Sequence, residues 1–268
     1  MQMKAFKLCF YLIIIIQAKP VLTHWDLNYG LQLKSRTPTS IAYSELGYAH
    51  LLWKTKSTDK NLQKFSYSYI RTSLKVKTAL IVNAIIPQLT LAPIAPLELK
   101  LGEEIYHSVF NSNVFHKACG DQVQCKSYTR RFYYGASLKL AYTSWVAYLE
   151  WQKSHIQHQK GDSVYLHYPT DLVIDGTQTM QSLVAFLGYM LSDSWNLGFL
   201  YWQDTIQGTD DYSKFTGLTL AYNLGSWTFT SGLGSYSVTS LKFSDHTAIT
   251  GASIILEIKK TLAKGLVL

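Results

Sequence analysis

His155, His158 and His167 gather around Asp162 in one polar stretch, a donor set from which a zinc site could be built. On an extended strand, residues i and i+3 point to opposite faces, so joint ligation by His155 and His158 would need a turn between them. Ser163, in Gly161-Asp162-Ser163-Val164, is a candidate nucleophile, but a serine becomes one only beside a base that a third group orients. Asp245 and His246 are adjacent rather than spaced, Asp210-Asp211 supplies acids without a base, and neither His24 nor His107-Ser108 puts a histidine two positions before a serine. No G-x-S-x-G elbow, HExxH pair or phosphate-cradling glycine loop occurs. The chemistry expected of this chain is therefore non-enzymatic, with no catalytic residue, no metal and no cofactor.

The elements that would position such residues belong to an unusual composition. The chain has 268 residues, of which 47% are hydrophobic, 14% aromatic and only 16% charged. That charged fraction is well below the usual quarter, and a mean hydropathy of +0.01 beside it means apolar surface diluted by small polar residues. Seven Trp, eleven Phe and nineteen Tyr exclude a disordered polymer, and three Cys exclude a disulfide scaffold.

Residues 1–18 read as a secretory signal: Lys4 and Lys7, then an apolar block from Leu8 to Ile16, then Ala18 as a cleavage residue, with a cut as late as Thr23 also allowed. The block is too short to span a membrane comfortably. Its removal leaves 23 basic against 17 acidic residues of the original 25 and 17, and leaves Cys119 and Cys125 as the only thiols. In an oxidising compartment these two are expected to close a small disulfide loop. The basic balance does not imply nucleic acid, because the lysines are scattered and an exported chain does not meet it. Rim residues such as Lys117, Lys126, Arg130 and Lys160 suit lipopolysaccharide phosphates instead.

Beyond residue 22 no apolar run is long enough for a helical span. What recurs is alternation of period two: Tyr134, Ala136, Leu138, Leu140 and Tyr142 against Tyr133, Gly135, Ser137, Lys139 and Ala141, and likewise Trp195, Leu197, Phe199 and Tyr201 against Asn196, Gly198, Leu200 and Trp202. Strands are expected at 24–34, 39–54, 64–76, 78–86, 89–105, 128–142, 145–155, 178–191, 194–204, 213–224, 226–238 and 246–260. Twelve is an even number; ten results if 64–86 is a single long strand and the first strand is miscounted. Tight turns at Thr143-Ser144, Ser192-Ser194 and Leu224-Ser226 alternate with longer polar connections at 103–127, 155–177, 204–213 and 238–246. Short turns on one side and long loops on the other are how a transmembrane barrel is built. Trp145, Trp195 and Trp227 open strands just after short turns, and Tyr142 and Tyr222 close strands just before them, which forms an aromatic girdle at one membrane interface.

This organisation resembles the outer-membrane β-barrel proteins of Gram-negative bacteria over residues 19–268, with Leu46-Gly47-Tyr48-Ala49, Tyr134-Gly135-Ala136-Ser137-Leu138 and Leu187-Gly188-Tyr189 typical of such strands. The last strand partly resembles their assembly signal through Gly251, Ile254 and Leu256, and departs from it at Ile249 and Leu268. The resemblance implies an all-β, antiparallel up-and-down transmembrane barrel in the outer membrane. It also implies contact with membrane lipid and lipopolysaccharide, insertion by the barrel-assembly machinery, and a role as a narrow porin-like pore for small solutes or as a structural or surface-interaction protein. A rim hydrolase acting on lipid or peptide and a soluble exported β-sandwich are the alternatives. If the apolar faces meet lipid, Arg71, Lys75, Lys100, Arg131 and Lys139 face inward with Glu98, Glu104 and Glu150. Five bases against three acids suit either a weakly anion-preferring channel or a salt-bridge network filling a closed barrel.

Overall fold

A computed structural model describes residues 23–35, 39–54, 67–79, 82–108, 126–158, 164–167, 170, 172–239 and 249–263. The signal segment, Cys119 and Cys125, Lys117 and Lys160, and the Ser163 and Asp245-His246 candidates lie outside the described residues.

Fourteen strands follow one another: β1 (Thr23–Lys34), β2 (Thr39–Lys54), β3 (Tyr67–Thr78), β4 (Val82–Ile94), β5 (Leu97–Ser108), β6 (Ser127–Tyr142), β7 (Trp145–His158), β8 (Val164–His167), β9 (Leu172–Asp175), β10 (Thr177–Met190), β11 (Trp195–Ile206), β12 (Tyr212–Leu224), β13 (Trp227–Thr239) and β14 (Ile249–Ala263). Twelve of them form one closed antiparallel ring in chain order, and β8 pairs only with β9. The ring closes where Lys34 of β1 faces Ile255 of β14 and Asn28 faces Thr261. A single closed sheet is not a sandwich of two, so the soluble alternative is overturned.

Why these residues close is visible in the alternation. Outward positions carry the large apolar side chains, with Leu140, Leu149, Leu197, Phe199 and Leu218 between 43% and 60% exposed, while inward neighbours such as Ser137, Ser154 and Thr219 are buried. Closure leaves the wall no free sheet edge, the requirement that hydrocarbon imposes. Both chain ends of the barrel lie at one rim, with the turns 95–96, 143–144, 191–194 and 225–226. Bonds between successive turns stitch this rim: Lys139 N–H donates to the Pro96 carbonyl at 2.8 Å, Met190 to Ser144 at 2.7 Å, Asn223 to Ser194 at 2.8 Å and Thr261 to Ser226 at 2.9 Å.

Three expectations need correction. The fourth and fifth strands are Val82–Ile94 and Leu97–Ser108 rather than 78–86 and 89–105. Pro87, which reads as a break, sits inside β4 opposite Leu74, where the β4–β5 ladder skips from Ile85 to Gln88 and no N–H is needed from it. The connection at 204–213 is a short turn, because β11 runs to Ile206 and β12 starts at Tyr212. Outside the C-terminal part from which the alternation of short and long connections is read, the segment 55–66 joins β2 to β3 at the short-turn rim. Finally, the connection at 155–177 is not simply a polar loop. β7 continues to His158, and the hairpin β8–β9 follows.

Candidate functional site: the lumen and its hairpin

The strand wall of the lumen has two unlike halves. On β10 to β13 the inward residues are mostly small or apolar, among them Val184, Leu200, Gly217, Phe215, Gly232 and Gly234, with Asp204 as an acid held by the Ser182 hydroxyl. On β1 to β7 they are charged and tyrosine-rich. Arg71 of β3 reaches Asp26 at 2.5 Å and Glu45 at 2.8 Å, and Lys75 meets Glu45 at 3.9 Å. Glu98 of β5 collects Lys139 at 2.5 Å, Lys100 at 3.8 Å, the Tyr69 hydroxyl at 2.5 Å and Ser137 at 3.1 Å. Lys100 also pairs with Glu150, which accepts from the Tyr148 hydroxyl. Nearer the far rim, Glu104 takes Lys77 at 3.2 Å and Arg131 at 3.4 Å.

All eight inward charges read from the sequence, namely Arg71, Lys75, Glu98, Lys100, Glu104, Arg131, Lys139 and Glu150, are therefore ion-paired, in three cross-strand clusters centred on Glu45, Glu98 and Glu104. Sequence reading missed further charges of the lumen. Asp26, Glu45, Asp204 and Glu257 add acids, and Lys77 and Lys259 add bases, so the sign of the described lumen evens out and the excess of base disappears. Glu257 accepts the Tyr43 hydroxyl at 2.7 Å, and the Lys75 ammonium lies 4.5 Å above the Tyr43 ring. Strict alternation on β1 points to Asp26, whereas Glu45 sits on a strand whose pattern, Ser-Glu-Leu-Gly-Tyr-Ala-His, favours neither face.

The hairpin β8–β9 sits inside the far half of this lumen. Tyr165, Leu172 and Ile174 are fully buried in one apolar cluster with Ile156 of β7, Met180 of β10, Ile206 of β11, Phe215 of β12 and Tyr236 and Val238 of β13. Tyr165 stacks on His158 at 4.7 Å, and His167 lies 5.8 Å from the Tyr106 ring of β5. His167 Nδ1 and the Thr170 hydroxyl are 2.9 Å apart, and the Tyr236 hydroxyl reaches the Thr170 carbonyl at 3.4 Å. Burial, with Arg131 and Lys77 adding to it and Glu104 opposing, pushes the His167 imidazole down to about 3, so it is neutral at ordinary pH. Hairpin contacts thus reach from the charged wall to the apolar one across the bore. No periodicity announced this: Val-Tyr-Leu-His and Leu-Val-Ile-Asp are too short to be told from loop.

The candidate histidine cluster is dispersed. His155 faces outward and is exposed, His158 faces inward, and His167 is carried by the hairpin. Among the described residues, no three His, Cys, Asp or Glu side chains could hold a metal ion.

On the outside, the girdle residues mark the short-turn rim. Trp145 meets Tyr189 edge-on at 5.0 Å, Trp195 lies 4.6 Å from Tyr222, and Trp227 stacks on Phe229 at 6.3 Å, while Tyr142 is 79% exposed. Lys260 sets its ammonium 4.7 Å over Trp227, keeping its charge at that interface.

No protein-family model and no curated protein matches the sequence. Among solved structures, the chain is similar to the KdgM porin at 10% identity, covering 88% of this chain and 98% of that one with a TM-score of 0.42. It is similar to the NanC porin at 8% identity, covering 87% and 98% with a TM-score of 0.43. It is also similar to OmpT of Vibrio cholerae at 9% identity, covering 91% and 99% with a TM-score of 0.42. Closed, even-stranded, apolar outside and ion-paired within, the ring has by its own geometry the build of a transmembrane β-barrel.

Proposed function

We propose that the chain is a non-catalytic outer-membrane barrel that works as a narrow porin-like passage for small solutes, with β8–β9 as its gate. The observation that carries this reading is the hairpin's position: it is anchored at both ends to the wall, seated by apolar contacts, and aligned with a lumen rich in charge. A purely structural barrel has no need of a removable plug, and a bore of twelve strands is intermediate between filled small barrels and open porins. Insertion by the barrel-assembly machinery belongs to the same reading, supported by the outward apolar row Ile254, Leu256 and Ile258 on the last strand.

The test is conductance in planar bilayers of the refolded full chain beside a variant lacking residues 164–175. The wild type is expected to give rare, small openings, and the variant a steady, larger current. A wild type that conducts as freely as the variant would remove the gate. Two correctly folded proteins that both carry no current would remove the passage and leave a structural role.

A further inference from the structure

Beyond the aromatic row of Tyr134, Trp151 and Tyr201, the strands do not stop. They continue towards the far rim, and their outward positions turn polar, with Arg130 on β6, Lys153 and His155 on β7, Gln181 on β10, Gln203 on β11 and Lys214 on β12. At the opposite rim the strands end at the tight turns beside the tryptophan row. An apolar band marks hydrocarbon depth, so polar positions just past its edge lie at headgroup depth. The charge there is nearly of one sign: on the outward faces of β5 to β7 and β10 to β12, Glu103 is the one acid among the described residues.

Glu103 is taken by Arg130 at 2.6 Å. Lys153, set between Tyr134 and Gln181 in the ladder, has no carboxylate within ion-pair reach among the described residues, and neither has Lys214. The Lys214 ammonium lies 5.3 Å from the Tyr201 ring, which holds it at the band's edge rather than free in water. Lys214 over the Tyr201 ring and Lys153 in register with Tyr134, both at the edge of the acyl region, present positive charge where lipid phosphates would stand.

We propose that Lys153 and Lys214 seat the phosphate groups of the outer leaflet's phosphorylated glycolipid, lipopolysaccharide, whose acyl chains would then lie along Trp151, Leu183 and Phe199. The assignment rests on the membrane reading above. A lipid is favoured over a free anion because the cations adjoin an acyl-facing surface, which a free phosphate would not use.

The experiment titrates the refolded full chain, in neutral maltoside micelles, with diphosphorylated lipid A and with the same lipid after enzymatic dephosphorylation, reading bound lipid by native mass spectrometry. The wild type should prefer the phosphorylated lipid by about tenfold, and the double variant Lys153→Gln/Lys214→Gln should lose that preference. Equal affinity for the two lipids, or an undiminished preference in the double variant, overturns the proposal. Displacement of lipid A by millimolar inorganic phosphate would also overturn it, by showing a site for free anions. Lys260→Gln, at the opposite interface, should keep the full preference, and a loss there as large as in the double variant would count against the seat. If the double variant does not fold, the single variants Lys153→Gln and Lys214→Gln carry the test, each with about a threefold loss expected. A wild type that fails to show heat-modifiable migration sinks the membrane reading itself, a result distinct from a folded barrel indifferent to phosphate.

Discussion

Leu138 lies opposite Leu97 on one side and Leu149 on the other, in the middle of the outward apolar face. An arginine there would meet hydrocarbon, so Leu138→Arg should cost about 2–4 kcal/mol in equilibrium unfolding from lipid vesicles, against about 0–1 kcal/mol near an interface. A cost of the smaller size would mean that this position does not face lipid. Thr143 is the one non-glycine residue with positive φ among those described, at 50°, and a β-branched side chain pays for that conformation. Thr143→Gly should therefore stabilise the refolded barrel by about 1 kcal/mol in the same assay. These positions were legible because alternation names the outward leucines. The tight turn was legible too, but its φ was not, since Thr-Ser carries none of the usual asparagine or glycine signals. Gly102 was equally silent: an added Cβ would lie 2.5 Å from the Tyr133 ring, whose hydroxyl donates to Gln88 at 2.9 Å.

The hairpin β8–β9 is the element that the sequence hid. Strands of the wall advertise themselves by a dozen alternating residues, whereas each hairpin strand has four, and the contacts that order them come from six other strands. Its seat has a pH dependence whose sign follows from His167. Docked, the imidazole titrates near 3; released into water, near 6.5. Between those values the released hairpin binds the extra proton, so docking is at full strength above about 6.5 and weakens as pH falls through the window. The groups facing it are Tyr106 and Glu104 of β5, Arg131 of β6 and Lys77 of β3, so a protonated His167 would add a third positive charge around a single carboxylate. Moving from pH 7.5 to 5 should shift the docking equilibrium by about 30-fold towards release. Protease cleavage within residues 164–175, or bilayer current, measures it, and His167→Gln should flatten the response. A wild type as resistant at pH 5 as at 7.5 would contradict this account.

At the scale of the whole molecule, the strand count and the closed topology were readable from period and turn spacing, while the lumen's charge balance was not. That balance depends on Glu45, Asp204 and Glu257, whose facing only the closed register decides. With acids and bases matched, current through the variant lacking residues 164–175 should show little preference for sign. In that background Glu98→Gln leaves Lys100 and Lys139 without their shared carboxylate and should move the reversal potential towards anions. An unchanged potential would place the current path elsewhere. The seam between β1 and β14 also has a consequence in time. The hydroxyl of Thr261 donates to Asn28 across 233 positions of sequence, so the first strand has no second neighbour until the last one exists. Loop closure of that span is slow, and until it happens the outward leucines have no solvent that suits them. A chain stalled before residue 249 would be an open sheet with two unpaired edges, a template on which a second copy could pair.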